Sequence, residues 1–371
     1  MNGQNEVTVR TLHGKFSFLN QRYLSRDRNS GSDFLSDRKS DLIEQGYNST
    51  GLSEWICYFA NRLSYRENEK LLKRISGCPL YSMVQIQNMT VEPSKRGGQF
   101  FNEKNVGADV RFDSIDHNLN LYGGESKEVC YFDDGVGVKR QKAKRQDYMY
   151  VKEKETIQTD VIMIQKPAGE SFEYLSRTND ADSVPDLESR VGMTLSRMYK
   201  GVLLLPLVAI ADGAQSVRCR VGRMFGEEVK IILDWYHLKK RVREEMSGMG
   251  LKKEEKEILI KNILEELWVG HTPDALIYID RMVLPQKNEQ LKEELLNYLQ
   301  KHESEIVNYG KRQTAGKCIG SGRGEKGNDQ VTACRQKKKG SAWSPEGSNA
   351  LSTFKCIELN GDWEKFWHKK A

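Results

Sequence analysis

The spacing of apolar residues changes several times along this chain, and each change marks a boundary. "EVTVRTLHGKFSFLN" (6–20) alternates apolar and polar positions and predicts a short hairpin turning at His13-Gly14, while the rest of 1–50 is polar. From Gly51 the spacing becomes helical: Trp55, Ile56, Phe59 and Leu63, a Ser64 cap, then Leu71, Leu72 and Ile75 ending at Gly77. "SYRENEKLLKRISGCPLYSMVQIQNM" (64–89) reads as helix, short turn, helix, an outline shared by helix-turn-helix units and by small helical bundles. Residues 95–127 are glycine-rich and polar without a period and read as a linker.

Strands begin after it. "EVCYFDDGVGVKRQ" (128–141), "TIQTDVIMIQK" (156–166) and "SFEYLS" (171–176) come first, then a helix over 186–202 and a strand over 203–211. A second helix (214–225) leads to "EVKIILD" (228–234). Three strands, helix, strand, helix, strand is the order of a mixed α/β sheet that opens with hairpins. The period then switches abruptly. Ile258, Leu259, Ile263, Leu264, Leu267 and Trp268 mark one helix, Thr272-Pro273 caps another, and Leu291, Leu295, Leu299, His302 and Ile306 mark a third. The expected organisation is an N-terminal segment (1–50), a helical region (51–94), a linker (95–127), an α/β domain (128–237 with 316–371) and a helical insertion (238–315).

Composition adds modest constraints. With 371 residues, 38% of them apolar, the chain is long enough for two or three domains with a sizeable core. Lys and Arg number 58 against 52 Asp and Glu, an excess of 6 that suits nucleic acid but also most soluble enzymes. The cations concentrate in "VKRQKAKR" (138–145) and "RQKKK" (335–339), each either a solvated face or a grip on phosphates. Seven scattered cysteines without a CxxC predict reduced thiols rather than a disulfide framework or a zinc finger. No apolar run is long enough for a membrane span, and the first thirty residues lack the apolar stretch of a signal peptide, so a cytoplasmic protein without membrane partners is expected. "GRGEKG" (322–327) matches GxGxxG, but no adequate strand precedes it, and no GxxxxGK[ST] is present. Trp343, Trp363 and Trp367 suit core packing better than base stacking.

Candidate chemistry sits at strand ends. "CYFDDG" places Asp134 before Gly135, and "VAIADG" places Asp212 before Gly213. If the two strands are neighbours, their carboxylates meet at one edge, where a hard cation such as Mg²⁺ relieves the repulsion; two ordinary Asp-Gly turns would look the same in sequence. Asp234 and His237 have a short spacing that suits a metal, yet no further ligand stands at a matching distance along the chain.

Together "ADGA", "ILDWYH", "IGSGxxE" with Arg335 ten residues later, "WSPEG" and "NGDWEKFW" strongly resemble the Kra-type insertion-sequence transposases, DDE enzymes of the mutator-like superfamily. The resemblance covers roughly 128–371, and more loosely "VRTLHGKFSF" and 51–90. It implies an α/β, ribonuclease H-like mixed sheet with an all-helical insertion, preceded by a small helix-turn-helix-like region. The first acid falls on Asp134, with Asp133 as the fallback, the second on Asp212 and the third on Glu325. These would hold Mg²⁺, with Mn²⁺ as a substitute, for in-line attack on DNA phosphodiesters. Asp234 and His237 fall to active-site support. Arg335, Lys337, Lys338 and Lys339 fall to DNA phosphates.

The implied partners are the element's terminal inverted repeats and target DNA, bound by a homodimer or larger assembly at the bacterial nucleoid. In the helical region Ser82 is the expected N-cap, Gln85 and Gln87 the base readers, and Arg62, Arg66, Lys70, Lys73 and Arg74 the phosphate contacts. One segment departs from the family pattern: "RGEKGNDQ" (323–330) carries Gly327 two residues after Glu325, and Asp329 offers an alternative acid. The rival readings are therefore a decayed, non-catalytic DNA-binding remnant and a structure-selective nuclease on the same fold.

Overall fold

The computed structural model describes residues 3–24, 32–34, 47–124, 127–142, 155–167, 169, 171–181, 186–284 and 288–368; residues 143–145 of the basic run 138–145 lie outside them. Five strands, β4 (Val129–Lys139), β5 (Thr156–Gln165), β6 (Phe172–Thr178), β7 (Leu207–Ala211) and β8 (Lys230–Leu233), form one mixed sheet in the order β6-β5-β4-β7-β8. The first three are an antiparallel meander, and β7 and β8 run parallel to β4. All of "LVAIA" in β7 is buried, as a central strand covered on both faces requires. The strand starts later than its apolar run suggests. Leu203 is 90% exposed and Leu204 61%, because Pro206 offers no N–H and the ladder with β4 opens only at Val129–Leu207.

Side chains alternate across the sheet and define two cores. Tyr131, Ile162, Ile164 and Ala209 pack under helices α5 (Leu187–Met198) and α6 (Gln215–Phe225). Phe132, Met163, Val208, Ile210 and Ile232 face the other way and share a core with the helical insertion. That insertion comprises α7 (Trp235–Gly248), α8 (Lys253–Trp268), α9 (Thr272–Asp280), α10 (Glu289–Lys301), a 3₁₀ turn (Glu303–Glu305) and α11 (Tyr309–Thr314). Its far end is tied to the sheet by the fully buried Arg312, which makes 2.9 and 2.8 Å bonds to the two Glu128 oxygens. Beyond it run α12 (Gly322–Asn328), a π-helical turn (Asp329–Ala333), α13 (Cys334–Gln336), α14 (Pro345–Leu359) and α15 (Trp363–Trp367).

The segment 95–127 is not a free linker. It holds α4 (Arg96–Lys104), and its Phe112, Ile115 and Leu119 are buried against the α/β domain. Gly192 of α5 permits this, since a Cβ there would collide with the Val110 backbone. Upstream, β1 (Gln4–Thr11) and β2 (Gly14–Leu24) form the expected hairpin, joined by β3 (Ser32–Phe34). Helices α1 (Thr50–Ala60), α2 (Tyr65–Ser76) and α3 (Met83–Ser94) close on Leu52, Ile56, Leu72, Leu80 and Ile86. Trp343, Trp363 and Trp367 all lie in apolar clusters, as core packing predicts. Among the described residues no helix is long and apolar enough to cross a membrane.

Candidate active site

The alternation of β4 separates its two consecutive aspartates. Asp133 points with Tyr131 into the α5–α6 side, where it is buried, accepts the Tyr131 hydroxyl at 3.1 Å and pairs with Arg220 at 2.7 Å. Arg220 also grips Asp160 at 2.6 Å, so its guanidinium is shared between two carboxylates. Asp134 points with Phe132 to the opposite side. One of its oxygens takes the Gly135 N–H at 2.7 Å, and the other takes a bond from the Asn328 amide. The structure thus brings Asp134, and not the fallback Asp133, to the exposed edge.

Asp212 stands beside it. The last register pair of β4 and β7 is Phe132–Ile210, and each chain runs two residues further to its aspartate. Burial raises the Asp134 carboxyl above the usual range, and the Asp212 charge adds to this; the Gly135 and Asn328 bonds and the nearby His237 oppose it. Asp212 accepts the Ala214 N–H at 2.8 Å, which turns the chain into α6.

Asp234 and His237 hold the third wall. Asp234 caps α7 by accepting the Tyr236 and His237 N–H groups at 2.5 and 3.0 Å, and its other oxygen accepts both the N–H and the hydroxyl of Ser321. With all these bonds made it acts as a latch between the β8 end and the turn entering α12. His237 Nδ1 lies 3.4 Å from Asp234 Oδ2, and its Nε2 lies 3.8 Å from Glu325 Oε1. Contact with Asp234 raises the His237 imidazole above its ordinary value, with the Asp212 and Glu325 charges adding to it. Asp234, His237 and Glu325 therefore converge closely enough for one ligand atom from each to share an ion. Glu325 is the ligand partner that the linear spacing of Asp234 and His237 did not reveal.

The glycines of "RGEKGNDQ" act as contacts. Gly324 lies over Phe132 of β4 and Gly327 over Met163 of β5, and a Cβ at 327 would overlap the Met163 sulfur. They let a short helix lie flat on the sheet and carry Glu325 and Asn328, one turn apart, to the edge. Asn328 is buried, and while its amide nitrogen serves Asp134, its Oδ1 has no hydrogen-bond partner. Asp329, the alternative acid, is exposed on the π-helical turn that follows.

Other expected DNA contacts divide. Lys337, Lys338 and Lys339 are exposed, but Arg335 is 6% exposed. Its Nε donates to the Ala60 carbonyl at 2.7 Å and its guanidinium lies 4.8 Å from the Trp343 ring, so it joins α1 to the C-terminal helices and is closed to phosphate. Arg62 is likewise diverted to Glu358 and the Tyr58 ring. Ser82 is the N-cap of α3 as expected, but Gln85 closes the capping box, its Oε1 accepting the Ser82 N–H at 2.9 Å, so it lacks a free oxygen for a base edge. Gln87 is half-buried, whereas Arg66, Lys70, Lys73 and Arg74 are exposed along α2. No protein-family model, curated protein or solved structure matches the chain.

Proposed function

We propose that this chain is a DNA transposase of the DDE type with a ribonuclease H-like catalytic domain. One observation carries the reading: Asp134, midway along β4, and Asp212, just past the end of β7, each stand two residues beyond the last register pair of these adjacent parallel strands, and the late helix α12 holds Glu325 3.8 Å from His237, which feels the Asp212 charge. The strand order β6-β5-β4-β7-β8, with the helical insertion between the second and third acids, agrees with that plan. The packed glycines of α12 favour an intact site over a decayed one.

The donor set fits a hard divalent cation. Asp134, Asp212 and Glu325 are hard oxygen donors of the kind such a cation takes, Asn328 beside Asp134 keeps an unpartnered Oδ1, and the ligand atoms that already lie within 4.8 Å of one another are those of Asp234, His237 and Glu325. Mg²⁺ bound there supplies Lewis-acid activation of the attacking oxygen and neutralises charge on the leaving one. The protein's own contribution is position. Asn328 aims Asp134, the Asp234 latch fixes the turn entering α12, and His237 stands 3.8 Å from Glu325. Exposed Lys337 to Lys339 and the α2 cations supply sequence-independent phosphate contacts, and self-association on DNA would place two such sites together.

The test is a nicking and strand-transfer assay of the purified chain with Mg²⁺, using duplexes made from the DNA flanking its gene. Cleavage and joining, both lost in Asp212→Asn, are expected. Cleavage without joining would assign a nuclease instead, and DNA binding without any cleavage would leave only the non-catalytic reading.

A further inference from the structure

We infer that the helical insertion completes the catalytic edge through a positioning relay, Arg218–Glu305–His302, that braces the Asp212–Gly213 turn. This rests on the proposed role of Asp212 as a cation ligand. His302 follows α10 directly and is 1% exposed. Its Nδ1 lies 2.6 Å from Glu305 Oε2, while Glu305 Oε1 lies 2.5 Å from Arg218 Nε. Arg218 belongs to the first turn of α6, the helix that the Asp212 turn initiates. The contacts therefore make a closed circuit: from Asp212 into α6, across to the insertion, and back.

The return contact is the imidazole edge. His302 Cε1 and Nε2 lie 3.1 and 3.3 Å from where a Gly213 Cβ would stand, and Gly213 has φ +93°. Glycine is thus required twice, once for the backbone and once for the ring. The ring is held from its Nδ1 side and sets its Cε1–Nε2 edge against the turn.

A charged carboxylate is costly to bury unless paired, and a purely packing role would be filled with less penalty by an apolar side chain. A chain of hydrogen bonds fixes ring orientation, which packing alone does not, and outer partners of this kind set the aim of a cation ligand.

The experiment measures Mn²⁺ affinity of the full chain by the electron paramagnetic resonance signal of free Mn²⁺, with thermal melts alongside. His302→Leu keeps the volume and loses the relay; affinity is expected to fall on the order of tenfold. His302→Asn keeps a donor at the Nδ1 position and should recover most of the loss. Glu305→Gln, close in shape, should fall between wild type and His302→Leu, and it decides the matter if the leucine variant does not fold. Wild-type affinity in the folded leucine variant, or in Glu305→Gln, would overturn the relay. If Asp212→Asn abolishes binding in the same series, the relay alone falls. Wild-type protein that binds no Mn²⁺ sensitive to Asp212→Asn would overturn the relay and the cation-ligand role together.

Discussion

Asp133 and Asp134 are neighbours in sequence and face opposite sides of the sheet, the first fastened to Arg220 at 2.7 Å and the second bonded by Asn328. Consecutive carboxylates on a strand are thereby given separate tasks. One is structural, and one is available to the edge.

That division predicts opposite phenotypes. Asp134→Asn should fold normally and lose Mg²⁺-dependent cleavage. Asp133→Asn should leave Arg220 with Asp160 as its remaining carboxylate and destabilise the protein by about 1 kcal/mol, the cost of one lost buried hydrogen-bonded contact. Urea unfolding of the two variants beside wild type checks both; equal stability would contradict the assigned register.

Asn328→Ala should lower single-turnover cleavage by about one order of magnitude while the variant still folds, because the amide aims Asp134. Asn328→Asp should do worse, adding a carboxylate directly against another one. Activity equal to wild type in both would remove the amide from the site.

Asp234 supplies a pH-dependent contribution to stability. Burial pushes its carboxyl up, but the hydrogen bonds from His237 and Ser321 outweigh this and hold it at about 2. A depressed acid stabilises the fold above its unfolded value, near 3.9, and that contribution drains away as pH falls through about 2. Asp234→Asn should therefore cost about 2 kcal/mol near pH 6, a gap that narrows below pH 4. Chemical unfolding of both proteins at pH 6 and pH 3 measures it, and a gap that stays constant would refute the account.

Lys73→Ala in the full chain should weaken binding to element-end and random duplexes alike and lower the slope of log affinity against log salt by about one. Gel shifts at matched salt read this directly. A selective loss for one duplex would mean that Lys73 contacts bases.

The apolar pattern suffices for β4, β5, β6 and β8, whose short apolar runs are buried on both faces of the sheet, and for the long insertion helices, which bury one regular stripe. It fails at 95–127, where Phe112, Ile115 and Leu119 are buried from an irregular stretch that has no face to repeat. The sequence places Asp134 and Asp212 alike at strand ends, which holds for Asp212 but not for Asp134: the apolar–polar alternation of "VGVK" carries β4 five residues further, to Lys139. Asn328 was not legible, since a neutral amide leaves no charge signature and its nearness to Asp134 exists only after folding. Arg335 was grouped with Lys337 to Lys339 as one basic run, whereas the turn of the chain sends the first inward and the others out. His302 was read as one more member of a buried helical stripe, and it does lie in the core, but with Glu305 as its companion.

The Arg62–Glu358 pair joins residues 296 apart in sequence, and α3 packs on α14 beside it. During synthesis the early helices α1 to α3 emerge long before the surface they finally rest on has been made. They must wait in contact with solvent or with other molecules while the sheet and insertion assemble. Contacts that close over so long a stretch of chain form late. The faces of α1 and α3 that meet α14 are thus the last parts of the early helical unit to be covered.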